Sequence, residues 1–336
     1  GSWNALAKLW MHTELGQAGR AVRVVAVATA TAAKLPASRS QALEQLSLAA
    51  TARLHRGLSP TAGVRYGDVT ALRAALNEAY SLATRMVRLD PESWHAWLVL
   101  ATALRARAVA GCGEPLAPGR VRATLDRACQ LASQSRGSQQ PLALTSMALA
   151  SHLLTEYVAT GSCIPGLLQE GVNAASVALG VYGQESPQAA PAMVLLGRAR
   201  LMLGDVAAAR ESLLAALRVD PQHMRAWEAL GTVYGVMGAP AAAEKAFRQA
   251  MRFAQAGAGR GVPLLRAVLV HLQAGDLDAA RGPLKEAVKR EKKSPLVALF
   301  KGAGLLGDGQ GQQAREALQA ALAANAGLEA VVDGLL

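Results

Sequence analysis

His152 and Glu156 stand one helical turn apart, a spacing that could place an imidazole and a carboxylate on one metal ion. The second histidine of an HExxH arrangement is missing, so the pair reads as solvent-exposed or capping, and no metal site is assigned. Gly302, Gly304 and Gly307 form a GxGxxG string, which cradles a dinucleotide only where a strand leads into a helix; no strand signal precedes it. A phosphate loop of the GxxxxGKS or GxxxxGKT kind does not occur. His12, His55, His95, His223 and His271 are scattered singly, without a serine or cysteine nucleophile pattern beside them. No catalytic residue, cofactor or metal is therefore expected.

Cys112, Cys129 and Cys163 are too few for a disulfide framework and lack the paired spacing of a zinc site. They read as free thiols in a reducing compartment. Cys112 and Cys163 both fall in connections between helices and could lie near one another, which leaves their pairing open.

Charge is the stronger signal. Lys plus Arg number 35 against 24 Asp plus Glu, a net charge of +11 in 336 residues. Lys285, Lys289, Arg290, Lys292 and Lys293 crowd together with only Glu286 and Glu291 interleaved. Such a run suits a solvated helix end whose cations complement the terminal carbonyls. It also suits an acidic partner, either a protein segment or a phosphate backbone. Aromatic residues are absent from the run, so base stacking is not supported.

The elements that must position these groups are apolar but poor in rings. Hydrophobic residues make up 51% and aromatics 4%, so burial must come from Ala, Leu and Val in a packed chain. No apolar run approaches the roughly 18 to 20 residues that span a bilayer. The best candidate, Val24 to Ala33, is short and flanked by Arg23 and Lys34, so no membrane insertion is expected. Gly1-Ser2 and a first methionine at Met11 suggest an expression scar or a piece of a longer chain, in which targeting signals are unreadable. A cytoplasmic location is the default.

Repetition organises the second half. Trp227, Leu230 and Tyr234 share one face of a helix as a buried stripe, while Gly231 and Ala243 are small enough for two helices to approach closely. Gly238 ends the first helix with a left-handed turn, and Phe247 and Ala250 face back from the second. One period of 34 earlier stand Gly197, Gly204, Ala209, Leu213 and Ala216, closed by Asp220-Pro221. Ahead, Gly275, Ala280, Leu284 and Ala287 repeat the turn and second helix, as do Gly309, Ala314, Leu318 and Ala321. With Trp227, Leu230, Gly231, Tyr234, Gly238, Ala243, Phe247 and Ala250 in its signature positions, Met224 to Gln255 resembles the tetratricopeptide repeat, an antiparallel helix pair.

The first half is looser. Asp90-Pro91 precedes Trp97 by the spacing at which Asp220-Pro221 precedes Trp227, and Leu100, Ala101 and Leu104 continue that face. A Gly/Pro-rich insertion, Gly111 to Gly119, delays the second helix, which resumes from Arg120 to Ser133 with Leu125, Ala128 and Leu131 inward. Segments 40–90 and 140–182 read as helix, turn, helix, with turns at Gly57 to Gly67 and Gly161 to Gly166; the opening stretch holds Trp3, Leu6 and Trp10. Strand signals are absent. The expected fold is all-α, about eight antiparallel helix pairs in a right-handed superhelical solenoid. Residues 1–186 form irregular pairs with insertions, 187–326 four regular repeats, and 327–336 a cap or truncated continuation.

The resemblance implies a concave groove, lined by the first helices, that holds an extended or helical segment of a partner protein. By register its candidates are His95, Leu98, Thr102 and Arg105; Pro191, Val194, Arg198 and Leu201; Arg225, Glu228, Thr232 and Gly235; Val262, Leu265, Leu269 and Leu272; and Leu296, Leu299, Ala303 and Leu306. The Lys and Asn positions of members that clamp chaperone tails hold Leu98/Thr102, Val194/Arg198 and Glu228/Thr232, which disfavours that subtype. A non-enzymatic scaffold or adaptor within a larger complex is the function this implies. The alternatives are an RNA-associated helical-repeat protein, and a regulatory section of an enzyme, secretion or envelope complex.

Overall fold

The computed structural model describes residues 69–109, 119–135, 139–159, 166–253 and 262–290, with residues 46, 47, 49 and 50 of a helix ahead of them. Every regular element among the described residues is helical. Outside them lie the opening stretch, the turn at Gly57 to Gly67, most of the insertion before Gly119, Cys112, Cys163, the GxGxxG string, the last repeat and the carboxy-terminal segment.

The chain divides into two compact units, Gly1–Ala199 and Arg200–Leu336. The first holds α1 (Val69–Leu89), α2 (Trp94–Val109), α3 (Arg120–Ser133), α4 (Gln140–Ala159), α5 (Gly166–Tyr182), a short 3-10 turn (Pro187–Ala189) and most of α6 (Ala190–Met202). The second holds α7 (Val206–Val219), α8 (Met224–Val236), α9 (Pro240–Phe253), α10 (Val262–Gln273) and α11 (Leu277–Arg290). Consecutive helices pack as antiparallel neighbours, α2 with α3, α4 with α5, α8 with α9 and α10 with α11. The delayed second helix of the Trp97 pair starts at Arg120 and ends at Ser133, as its apolar spacing requires.

The connections into α2 and α8 are built alike because their sequences are alike. Asp90 N–H donates to Met86 O at 2.9 Å and Asp220 N–H to Ala216 O at 2.8 Å, closing the preceding helix. The indole Nε1–H of Trp97 then donates to Pro91 O at 2.7 Å, and that of Trp227 to Pro221 O at 2.8 Å. Ser93 Oγ caps α2 through Ala96 N–H at 3.4 Å, and His223 Nδ1 caps α8 through Ala226 N–H at 3.2 Å. Within pairs, Gly204, Gly238 and Gly275 turn the chain at φ 86°, 70° and 76°, where a Cβ would be strained. Asp205 and Asp276 cap the helices that follow two of these turns, each accepting an N–H at 3.0 Å.

Small residues let the helices close on one another. In the first unit Leu76, Ala79, Ala83 and Met86 of α1 pack with Ala96, Val99, Ala103 and Leu104 of α2 and with Val121 and Leu125 of α3. Ala150 of α4 meets Ala174 and Ala175 of α5 and Leu196 of α6. In the second unit Phe247 and Ala243 of α9 pack against Ala267 of α10, with Tyr234 and Val270 beside them. One expectation fails here. Leu230 is buried, but Trp227 and Tyr234 are only half-buried, because the indole lies over the Pro221 connection instead of entering the pair.

Candidate functional site

First helices α2, α6, α8 and α10 carry the register positions expected to face a partner; α4, the first helix of the pair between α2 and α6, carries none of them. Within each unit first helices meet side by side, α2 with α4 and α8 with α10. Arg105 of α2 donates to Ser151 Oγ of α4 at 3.1 Å. Glu228 of α8 and Arg266 of α10 form an ion pair at 3.2 Å, with the carboxylate 20% and the guanidinium 50% exposed. Two helix turns on, Gly235 lies so near α10 that a Cβ there would stand 2.8 Å from Val270 Cγ2. Neighbouring first helices thus share a polar surface over an apolar contact.

The expected groove residues divide by what surrounds them. His95, Leu98, Thr102 and Arg105 are all half-buried. His95 Nε2 is 2.6 Å from Ser47 Oγ, and the Thr102 hydroxyl donates to Leu98 O at 2.9 Å, so both are partly committed inside the protein. Arg225 is exposed; Glu228 and Thr232 are half-buried, the Thr232 hydroxyl donating to Glu228 O at 3.2 Å. Arg198 and Leu201 are half-buried and Pro191 is exposed. Val194 is only 3% exposed and offers a partner no surface; its position in α6 is turned into the packing. Val262, Leu265, Leu269 and Leu272 fall on α10 at the expected register, but their side chains lie outside the described residues, as do Leu296 and Leu299 entirely.

Of the basic run, one cationic side chain falls among the described residues. Lys285 is exposed on α11, and Lys289 and Arg290 close that helix by backbone, while Lys292 and Lys293 lie outside the described residues. Glu286 of the same run is drawn inward. It holds Arg248 Nη1 at 2.9 Å, and Arg248 in turn holds Glu244 at 2.8 Å. Glu244 Oε2 stands 2.9 Å from Nε2 of His271, whose side chain is 4% exposed. This chain of polar contacts ties α9, α10 and α11 together, and only its Glu244–Arg248 link, four residues apart on one helix, is visible in the sequence spacing.

His152 and Glu156 do meet, Nε2 to Oε2 at 3.5 Å, but with side chains only 13% and 25% exposed. The expected solvent-exposed pair is therefore largely buried between α4 and its neighbours. Burial pushes the His152 imidazole below its ordinary value, Glu156 opposing and Arg105 and Arg122 adding to the drop. Among the described residues no three His, Cys, Asp or Glu side chains gather where they could hold a metal. Cys129 is a free, half-buried thiol, raised above its usual range by burial, with Thr145 and Ser146 hydrogen bonding against that rise. No helix among the described residues is long and apolar enough to cross a membrane.

A tetratricopeptide-repeat family model matches residues 190–223, from the first residue of α6 to the cap of α8, in the register that Gly197 and Gly204 set. Residues 190–223 form a tetratricopeptide repeat, and the fold around them is of the tetratricopeptide kind. A solved tetratricopeptide repeat protein from Parabacteroides merdae is similar over 88% of this chain and 98% of its own, at 15% identity and TM-score 0.53. PilW, described as a widely conserved type IV pilus biogenesis factor, is similar over 74% of this chain and 96% of its own, at 15% identity and TM-score 0.50. At such identities the tetratricopeptide fold is what is shared. No curated relative matches the sequence.

Proposed function

We propose that this tetratricopeptide-repeat chain is a non-enzymatic scaffold that organises a multiprotein assembly by holding an extended or helical partner segment along its first helices. The observation that carries this reading is the continuity of the first-helix surface within each unit, where Arg105 reaches Ser151 and Glu228 reaches Arg266 across consecutive pairs. Exposed Arg225 and half-buried Thr232 flank the Glu228–Arg266 bridge, and Leu98 and Arg105 occupy the matching row in the first unit. Polar side chains over an apolar base give a segment both hydrogen-bonding partners and area to bury.

The test uses a photo-crosslinking residue placed at Arg225 or Thr232, compared with the same residue at Arg210 or Lys245 on second helices. Native lysate should give one discrete adduct in fixed ratio from the first-helix positions and none from the second. Equal adducts from both sets, or adducts from Arg210 and Lys245 alone, would reject the groove. Nucleic acid captured instead, with affinity falling steeply as salt rises, would favour the basic surface around Lys285.

A further inference from the structure

Two guanidinium groups converge on Tyr80 of α1. That of Arg107, near the end of α2, lies over the ring 4.4 Å from its centroid, and Arg120 Nη2, at the start of α3, donates to the phenolic oxygen at 3.3 Å. Among the described residues neither faces a carboxylate at ion-pair distance, whereas Arg122 and Arg127 further along α3 are held by Glu170 and Glu92. The Nε–H of Arg107 is buried without an acceptor. Beside them α3 begins at Gly119, at φ 81° and with no side-chain cap, and Ala123 is the first residue whose N–H is used, donating to Gly119 O at 2.8 Å. The N–H groups of the three residues before it have no partner within the helix, at the end where its dipole is positive.

Like charges gathered at one phenol repel each other unless an anion joins them, and the donors present outnumber what a tyrosine hydroxyl can use. We propose that Arg107, Arg120 and the amino end of α3 form a binding site for a phosphate monoester. Its dianion matches two guanidinium charges. Its three terminal oxygens can accept a bidentate fork from one arginine, a second from the other and a backbone N–H, where a carboxylate has one charge and two oxygens. The Tyr80 ring covers the Arg107 guanidinium on one side, so part of its desolvation is already met before a ligand arrives. The site is independent of the groove reading, because its ligand is defined by charge and donor count and its test needs no protein partner.

Isothermal titration of the full chain at constant ionic strength, with inorganic phosphate, phenyl phosphate and benzoate in turn, tests this. Both phosphates should bind saturably at one site, and benzoate at least roughly tenfold more weakly. Arg120→Gln should weaken phosphate binding roughly tenfold, the loss of one charge-assisted interaction. Arg107→Gln should weaken it at least as much, and Arg127→Gln, further along α3, should leave it unchanged. If Arg107→Gln loses helicity, Arg120→Gln on the exposed first turn decides alone. Tighter binding of phenyl phosphate than of inorganic phosphate would name an esterified group as the source, and equal binding a free phosphate. Absence of saturable binding by either phosphate, equal binding of benzoate, or unchanged affinity in Arg120→Gln would overturn the site.

Discussion

The ring of Phe247 fills the space that a Cβ on Gly231 would need, since such an atom would stand 2.8 Å from Phe247 Cε1. Phe247 is 1% exposed, so the ring has nowhere to retreat. The missing side chain of α8 is thus what brings α8 and α9 together.

Gly231→Ala should therefore destabilise the protein by about 1–3 kcal/mol, the usual cost of overpacking a closed core. Gly180 on α5 is exposed and helical, with nothing within 4 Å of its would-be Cβ. Gly180→Ala should stabilise by about 0.4–1 kcal/mol through the unfolded chain. Urea unfolding midpoints of the two variants should move in opposite directions; a shared direction would show that the contact is not what decides the sign.

Trp97 and Trp227 donate to equivalent proline carbonyls at 2.7 and 2.8 Å. Phe at either position keeps the ring and loses that bond. Each change should cost about 0.5–1.5 kcal/mol, and the two should agree closely if the connections are equivalent. Because Trp227 is half-buried, Trp227→Ala should fall short of the roughly 3–5 kcal/mol expected for a fully buried tryptophan. Thermal melts of the three variants check both statements.

His223 caps α8 by accepting the Ala226 N–H on Nδ1, which only the neutral ring can do. Burial lowers its pKa, with Arg225 adding to the drop and Asp220 resisting it. The unfolded chain therefore binds this proton more readily, and stability should fall as pH drops from about 6.5 through the lower folded value. His223→Ser would install the cap that Ser93 supplies to α2. The variant should keep its stability at pH 7 and show a shallower loss between pH 7 and 5; a loss as steep as in the parent would remove His223 as the cause.

Glu244 stands 2.9 Å from His271 Nε2 and 2.8 Å from Arg248. Glu244→Ala should cost about 1–3 kcal/mol by leaving a buried imidazole nitrogen unpaired. Glu228→Ala removes only an exposed-side ion pair with Arg266 and should cost about 0–1 kcal/mol. Comparing the two by chemical denaturation separates the internal charge chain from the surface one.

Much of the architecture was legible because its causes are local. Asp90-Pro91 and Asp220-Pro221, the turn glycines and the apolar spacing of Arg120 to Ser133 each dictate backbone conformation within a few residues, and each element stands where those residues require. The candidate surface was legible in register only. Val194 occupies a groove position by counting and is buried by packing; Trp227 occupies a core position by counting and lies over its own connection. Nothing in the spacing placed Glu244 beside His271, 27 residues on, or Arg107 and Arg120 around Tyr80.

The amino-acid sequence by itself determined that the chain forms helix pairs, where they turn and which small residues let them close, because capping, glycine torsions and apolar periodicity act between near neighbours. Tertiary structure alone decided which polar groups pair across helices and which register positions are buried. Those outcomes depend on distances between helices tens of residues apart, which no local pattern encodes.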